Sequence, residues 1–235
     1  MHPAIRSTVN PTEISHFTAL SSSWWSPNGS SRLLHLLNPL RVQYLRSHIT
    51  DLSGKRALDV GCGGGIFSES LARLGCNVTG VDPTIAALKV AREHAERNRI
   101  QVDYRNEEVG SLQGTWDIVL ASEVLEHVSS PKLFLQHCKD RVAPGGYLFF
   151  STIDRTYLSW LLTILLGEKI LGIVPKGTHT WSQFIKPSEL QEAIGWETSV
   201  QGIGYNPLIG KWEFMATMNC SYFIIAKRPT TVQAL

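Results

Sequence analysis

The run "RALDVGCGGGIFSESLARLGCNVTGVD", residues 56 to 82, leaves this chain very few folds to adopt. An apolar stretch of strand character breaks into a glycine cluster and continues as a stretch with helical spacing. A second apolar stretch then closes on Asp82. Gly61, Gly63, Gly64 and Gly65 let the main chain turn sharply and let a ligand approach the backbone closely. An acidic residue about 20 positions on, at the end of the next strand, is placed to accept hydrogen bonds from ribose hydroxyls. A dinucleotide fingerprint would need a further glycine at position 66, which is Ile66, and it gives no reason for Asp59 ahead of the first glycine. A carboxylate there suits a cationic ligand such as an amino-acid ammonium better than a pyrophosphate. A purely structural glycine turn would not account for the Asp82 spacing.

The alternation continues to about Thr152. "TIAALKVAREHAERN" reads as a helix, "IQVDYRN" and "TWDIVLAS" as strands, "PKLFLQHCKDRV" as a helix and "GYLFFST" as a strand, with "APGG" as the turn before it. Strands alternating with helices predict a doubly wound α/β sheet. Ahead of this core, "PTEISHFTALSSSWW" and "SSRLLHLLNPLRVQYLRSHI" are helical in period. Behind it, "KPSELQEAIG" reads as a helix, and "ETSVQGIGYN" and "NCSYFIIAKR" as strands pairing antiparallel at the sheet edge across the connection "NPLIGKWEFMATM". The expected organisation is a helical cap over residues 1–54 and one unit over residues 55–235, with an insertion at about 155–180.

Composition narrows the class. A chain of 235 residues, 43% hydrophobic, can bury one substantial core. A net charge of +2 gives no whole-molecule field for nucleic acid, so none is expected as a partner. Cys62, Cys76, Cys138 and Cys220 form no CxxC pair, which argues against a zinc ribbon or a disulfide scaffold and suits a reducing compartment. The first ten residues carry no apolar core of a secretory signal.

In open parallel sheets ligands bind beyond the carboxyl ends of the strands. "TWDIVLASEVLEHV" delivers Glu123, Glu126 and His127 to that edge. If "EVLEHV" is one helical turn, offsets of three and four residues put all three groups on one face. Two carboxylates and an imidazole can hold magnesium, manganese, iron or zinc. Without a metal, His127 is a candidate general base with Glu126 beside it; a hydrogen-bonded positioning network is the third reading.

The segment "YLSWLLTILLGEKILGIV" is near the lower length limit for a membrane span, and Gly167, Glu168 and Lys169 interrupt it. Amphipathic helices lying on a bilayer surface over about 157–176 fit better, with Trp160 at the interface and Lys169 and Lys176 near headgroups. The other reading is a core or dimer-contact helix pair.

"LDVGCGGG", "VTGVD" and "VAPGGYLFF", in this order and spacing, resemble the motifs of class I S-adenosylmethionine-dependent methyltransferases. That resemblance implies a Rossmann-like seven-stranded sheet whose last strand is antiparallel, with the cofactor over the glycine loop and its ribose on Asp82. "SSWWSPNGSSRLLHLLNPLR", "EVLEHV", "FFSTIDR", "VPKGTH", "FIKPSEL" and "GYNPL" narrow it: from about Ile14 to Tyr222 the chain resembles the ubiquinone-biosynthesis O-methyltransferases. The resemblance implies methylation of catechol hydroxyls of polyprenylated precursors, 3,4-dihydroxy-5-polyprenylbenzoate and 3-demethylubiquinol. A methyltransferase for another hydrophobic small molecule, or a non-catalytic assembly component, are the alternatives.

Carried over by motif, Arg41, Gly61, Asp82 and Ser122 match cofactor-contacting positions, although bacterial relatives usually carry methionine where this chain has Ser122. Gly63 belongs to the same loop, Asp59 would face the amino-acid end of the cofactor, and Asn106 and Glu107 would lie near the adenine. The family's ExxEH motif places magnesium on Glu123, Glu126 and His127. His179, Tyr205 and Asn206 are candidates to line the substrate pocket; His16, His35, His48, His94 and His137 read as surface or packing residues. The short link "VGSLQGTWD", where relatives often have an insertion, should alter only a surface loop. The cap wording resembles eukaryotic, fungal members. It implies a peripheral place on the matrix side of the mitochondrial inner membrane among other ubiquinone-biosynthesis proteins, with the membrane-associated bacterial cytoplasm as the alternative.

Overall fold

The computed structural model describes residues 7–26, 28, 29, 31–155, 184–217 and 220–230. Strands β1 (Arg56–Val60) and β2 (Asn77–Val81) are each exposed only at their first residue and buried at the other four. Strands apolar on both faces need cover on both sides, which is the condition of a parallel sheet. These two pair in parallel; β3 (Asp103–Arg105) adds beyond β2, while β4 (Trp116–Ser122) and then β5 (Val142–Ile153) add on the far side of β1. The chain therefore leaves β1 to one side and returns on the other. That reversal opens the crevice beyond β1 and β4 where such sheets take their ligands.

The last three strands, β6 (Glu197–Asn206), β7 (Lys211–Met215) and β8 (Ser221–Lys227), are antiparallel to their neighbours. The order across the sheet is β3-β2-β1-β4-β5-β8-β6-β7. The expected doubly wound α/β sheet and the expected antiparallel pairing of the two C-terminal strands are both present, Glu197 lying opposite Lys227 and Ile203 opposite Ser221. Two details differ. The connection "NPLIGKWEFMATM" itself contributes β7, so the sheet has eight strands rather than seven, and the edge belongs to β7. The "APGG" turn is absorbed into an irregular start of β5, opposite a register shift between Trp116 and Ile118.

Alternation along the strands sends Leu58, Val119, Leu148 and Phe150 to one core and Ala57, Ile118, Leu120 and Phe149 to the other. The first core is closed by α5 (Pro131–Arg141) and α6 (Pro187–Ile194). The second is closed by α2 (Arg32–His48) and α3 (Ile66–Arg73). Helix α2 buries Leu37, Arg41, Tyr44 and Leu45, one stripe at helical spacing. Helix α4 (Ile85–Arg97) packs on the β2–β3 side through Leu88, Ala91 and Ala95. The N-terminal α1 (Pro11–Leu20) starts cleanly: Pro11 is its first residue, and the Asn10 side chain accepts from the Thr12 N–H at 3.1 Å.

The expected insertion at about 155–180 and the membrane-contact segment at about 157–176 lie outside the described residues. Among the described residues no helix is long and apolar enough to cross a membrane. All four cysteines are free.

Phe149 is fully buried on β5 and packs against Phe67, Phe223 and Tyr44. Phe149→Ala should lower the unfolding free energy by about 3–5 kcal/mol in urea titrations. Leu208→Ser, in the exposed turn between β6 and β7, should stay within about 0.5 kcal/mol of the parent.

Candidate active site

The glycine loop is shaped by contacts on both of its sides. Gly61 and Gly63 have φ of +70° and +51°, backbone that L side chains rarely adopt. Space forbids a side chain as well: a Cβ at Gly63 would lie 2.3 Å from Cζ2 of Trp24, and one at Gly61 would lie 2.6 Å from Cγ2 of Val124. Asp82 fixes the loop from beneath. One of its carboxylate oxygens accepts from the Gly63 N–H at 2.9 Å and the other from the Thr84 N–H at 2.7 Å. Burial pushes the Asp82 carboxyl up, and these two backbone bonds pull it back down.

Beyond the loop lies a cavity of about 980 Å³. Of the sequence-predicted residues, Arg41, Asp59, Gly61, Gly63, Asp82, Glu107, Ser122, Glu123 and His127 line it, as do Tyr205 and Asn206. Asn106 does not. It lies with Glu107 in an adjoining recess, its side-chain amide donating to the Asp82 carbonyl at 2.9 Å. His179 is outside the described residues.

Arg41 is not a surface cation. Only 3% of it is exposed, its guanidinium lies 5.8 Å from the Phe67 ring centroid, and Nε and Nη2 have no hydrogen-bond partner among the described residues. Burial lowers its pKa, and the charges of Glu123, Asp59 and Glu126 oppose that fall. Asp59, 2% exposed, accepts a 2.5 Å hydrogen bond from the Ser68 hydroxyl. Its carboxyl is pushed up to about 6, chiefly by burial, against the pull of Ser68 and Arg41.

The Glu123, Glu126 and His127 group is spread more widely than one helical turn would allow. Glu123 has left-handed backbone, φ +56°, and only Leu125–His127 form a 3₁₀ turn. A residue outside the turn cannot share its face, so the three side chains take separate partners. Ser151 Oγ donates to Glu123 at 2.7 Å and also contacts Ser122 Oγ at 2.6 Å. Thr152 Oγ1 donates to Oε2 of Glu126 at 2.9 Å, whereas the buried Oε1 of Glu126 has no partner among the described residues. Glu126 lies beneath the cavity wall rather than on it. Burial, then repulsion by Glu123, push its carboxyl up. His127 Nδ1 meets Oε2 of Glu13 at 2.9 Å. Burial disfavours the imidazolium, but that hydrogen bond and the charges of Glu126, Glu13 and Glu123 outweigh it and raise the pKa. Among the described residues no cluster of three or more His, Cys, Asp or Glu side chains is arranged to hold a metal ion.

Several contributors carry no signal in the sequence pattern. Glu13 lies on α1, 114 residues from His127. Trp25 donates from its indole to the Gly64 carbonyl at 2.8 Å and stacks on His94 at 3.4 Å, with that imidazole in turn 2.7 Å from buried Glu69. The tryptophan pair thus clamps the glycine loop from above, a role its quoted motif could not disclose.

A methyltransferase-domain family model matches residues 32–196. The ubiquinone biosynthesis O-methyltransferase of Idiomarina loihiensis is 43% identical, covering 94% of this chain and 94% of that protein. Its counterpart from Rhizobium etli is 39% identical, over 97% and 100%. Among solved structures, magnesium protoporphyrin IX methyltransferase from Synechocystis with bound S-adenosylmethionine superposes with a TM-score of 0.65 at 16% identity, covering 95% and 99% of the two chains. An N-methyltransferase from Bradyrhizobium japonicum in complex with S-adenosylhomocysteine gives 0.61 at 16% identity, covering 93% and 97%. At such identities the likeness concerns the fold.

Asp59 gives the fold a pH signature. Between its ordinary value of 3.8 and about 6 the folded chain holds a proton that the unfolded chain releases. That contribution to stability is present below about pH 4 and lost as pH rises to about 6. Asp59→Asn should therefore gain on the parent as pH is raised from about 4.5 to about 7.5, by about 2 kcal/mol in all. Urea unfolding of the cofactor-free protein across that range measures the difference.

Proposed function

Because the chain belongs to the ubiquinone biosynthesis O-methyltransferase family, we propose that it transfers the methyl group of S-adenosylmethionine to a ring hydroxyl of a polyprenylated catechol. The substrates would be 3,4-dihydroxy-5-polyprenylbenzoate and 3-demethylubiquinol. One observation carries the reading. A single cavity has the glycine loop with Asp59 and Asp82 on one wall, Glu123 and His127 on another, and apolar side chains such as Ile14, Phe17, Leu34 and Ile203 around them. Cofactor, ionisable acceptor and an apolar substituent each have a matching wall. A helical cap over 1–54 and a catalytic unit over 55–235 belong to the same proposal.

Within it, Asp82 takes the ribose hydroxyls, since a carboxylate with two backbone bonds keeps lone pairs to accept more. Asp59 faces the ammonium of the cofactor, and Arg41, with two nitrogens unengaged by the described residues, meets its carboxylate. Gly61 and Gly63 admit the cofactor to the backbone, Asn106 and Glu107 border the adenine, and Ser122 contributes main chain. His127 accepts the phenolic proton, assisted by the charge of Glu126 behind it. The phenolate oxygen then attacks the sulfonium methyl in line; the C–S bond breaks with its electrons onto sulfur, and S-adenosylhomocysteine leaves. Positioning supplies much of the acceleration.

Magnesium is the alternative within this proposal, since a His127 that held the ion through Nε2 could not also take the phenolic proton there. Glu123, Glu126 and His127 have the donor chemistry and Oε1 of Glu126 has no partner among the described residues, but the three side chains would have to leave their separate partners and converge to hold the ion. Bound there, the ion would lower the pKa of a catechol hydroxyl.

A polyprenyl tail calls for contact with a bilayer. The expected contact segment lies outside the described residues, but the turn between β6 and β7 exposes Leu208 (94%) and Ile209 beside cavity-lining Tyr205, Asn206 and Pro207. We place the protein peripherally on the matrix side of the mitochondrial inner membrane, with other ubiquinone-biosynthesis proteins as partners; in a bacterium the equivalent place is the cytoplasmic face.

If magnesium binds, methyl transfer to a short-tailed polyprenyl dihydroxybenzoate should be lost on exhaustive chelation and return with magnesium. Undiminished activity after chelation removes magnesium and leaves His127 as the base. His127→Ala should cost at least about 100-fold in kcat. In sedimentation with anionic vesicles, Leu208→Ser with Ile209→Ser should reduce the bound fraction; binding equal to the parent's would remove this turn from the membrane contact.

A further inference from the structure

We propose that Glu13 and Phe17 of α1 are positioning residues for His127, so that the N-terminal helix completes the acceptor side of the active site. The inference rests on the reading above in which His127 serves the acceptor hydroxyl. Glu13 and Phe17 are four residues apart and so project from one helical face. Both reach the same imidazole. Oε2 of Glu13 lies 2.9 Å from Nδ1, and the Phe17 ring meets the imidazole edge-on, 5.2 Å between centroids at 86°.

The burial of α1 says what the helix is for. None of its ten residues is buried, so the helix adds little to either core. It is tied instead by polar contacts at its N-terminal end. The Ser129 N–H donates to the Thr8 carbonyl at 2.9 Å, the Thr8 N–H donates to Glu108 at 3.1 Å, and the Ser7 hydroxyl donates to the same carboxylate at 2.7 Å. At the other end the chain passes into Trp24 and Trp25 over the glycine loop. Between these anchors Glu13, Ile14, Phe17 and Leu20 face the cavity. A helix held this way, half-buried at Glu13, Ile14 and Phe17 and fully buried at none of its residues, serves what it touches.

What it touches would otherwise be ambiguous. The main chain of His127 is fixed by its N–H bond to the Val124 carbonyl at 2.9 Å, but that does not decide which ring nitrogen carries hydrogen. An ionised carboxylate only accepts, so Glu13 requires Nδ1–H, and in the neutral ring that puts the lone pair on Nε2. Phe17 packs the ring edge-on and resists its rotation. The lone pair is then directed by an element far from His127 in the sequence, in the manner of the outer carboxylates that orient histidines in catalytic and metal sites.

The test uses the full chain with S-adenosylmethionine and the short-tailed catechol, together with ¹⁵N spectra of the imidazole assigned by loss of the signal in His127→Ala. Glu13→Gln offers Nδ1 an amide that can donate, so it should shift His127 away from the Nδ1–H form. It should also lower kcat by about 10–100-fold, with KM for S-adenosylmethionine within about twofold and an unchanged unfolding midpoint. Glu13→Asp should restore part of the rate, and Phe17→Leu should lower kcat more mildly while broadening the imidazole signal. If His127→Ala keeps its activity, the role of His127 itself is wrong. If His127→Ala is inactive while Glu13→Gln keeps both the parent kcat and the Nδ1–H signal, only the positioning role of α1 is overturned. A fall in kcat with the tautomer unchanged overturns it too.

Discussion

A guanidinium held out of water among carboxylates is the constraint around which this site is arranged. Arg41 and Asp59 are almost fully buried, as is Glu126, and Arg41 feels the charges of all three carboxylates Glu123, Asp59 and Glu126. Taking such groups from water is expensive unless each is met by opposite charge and hydrogen bonds. Here the compensation is partial: Nε and Nη2 of Arg41 and Oε1 of Glu126 have no partner among the described residues. Unmet polarity of this kind is tolerated at functional sites, where stability is given up for interaction with a ligand. A zwitterionic amino-acid group, such as the proposed cofactor carries, has the two charges that would meet Asp59 and Arg41.

The sheet makes this concentration of charge possible. Asp59 sits in β1, Glu123 directly after β4 and Asp82 directly after β2, so three strand ends deliver carboxylates to one edge while the strands behind them bury apolar residues on both faces. The glycine loop then lets main chain occupy the space between them. Trp24 shows how tight that space is, because its indole lies where a side chain at Gly63 or Gly64 would go. Loop and cap therefore constrain each other: the loop must be glycine for the tryptophan to lie on it.

What could be read in the sequence follows from the range of the physics involved. The strands, the glycine loop and Asp82 were legible because each rests on local pattern: apolar runs, backbone freedom and a spacing of about one β-α-β unit. The helices α1 and α2 were legible for the same reason. Strand β7 was not, because an edge strand with one side in solvent has a sparse burial pattern, and all but one of its five residues are exposed. The turn at Glu123 was misjudged for a different reason: a left-handed φ at a non-glycine residue has no sequence signature, and it moved Glu126 off the cavity wall. Nothing in the local pattern of its helix marks Arg41 for burial, and only the family resemblance pointed to it. Long-range polar pairs were the least legible. Nothing local to "PTEISHF" indicates that Glu13 meets a histidine more than a hundred residues away.

That last pair couples two functions that are usually considered apart. Segments held by few buried apolar contacts open locally at low free-energy cost, and α1 buries none of its residues. The same segment continues into Trp24, which lies against the glycine loop and lines the cavity. Lifting the cap would uncover the loop and withdraw Glu13 and Phe17 from His127 in one movement; lowering it would cover the loop and set the imidazole together. On the reading in which His127 serves the acceptor hydroxyl, excluding water and completing the acceptor side would be the same event, as in enzymes whose closure assembles the catalytic groups. A cap that buried more of itself would be more stable. It would also open less readily for a cofactor that must be exchanged at every turnover.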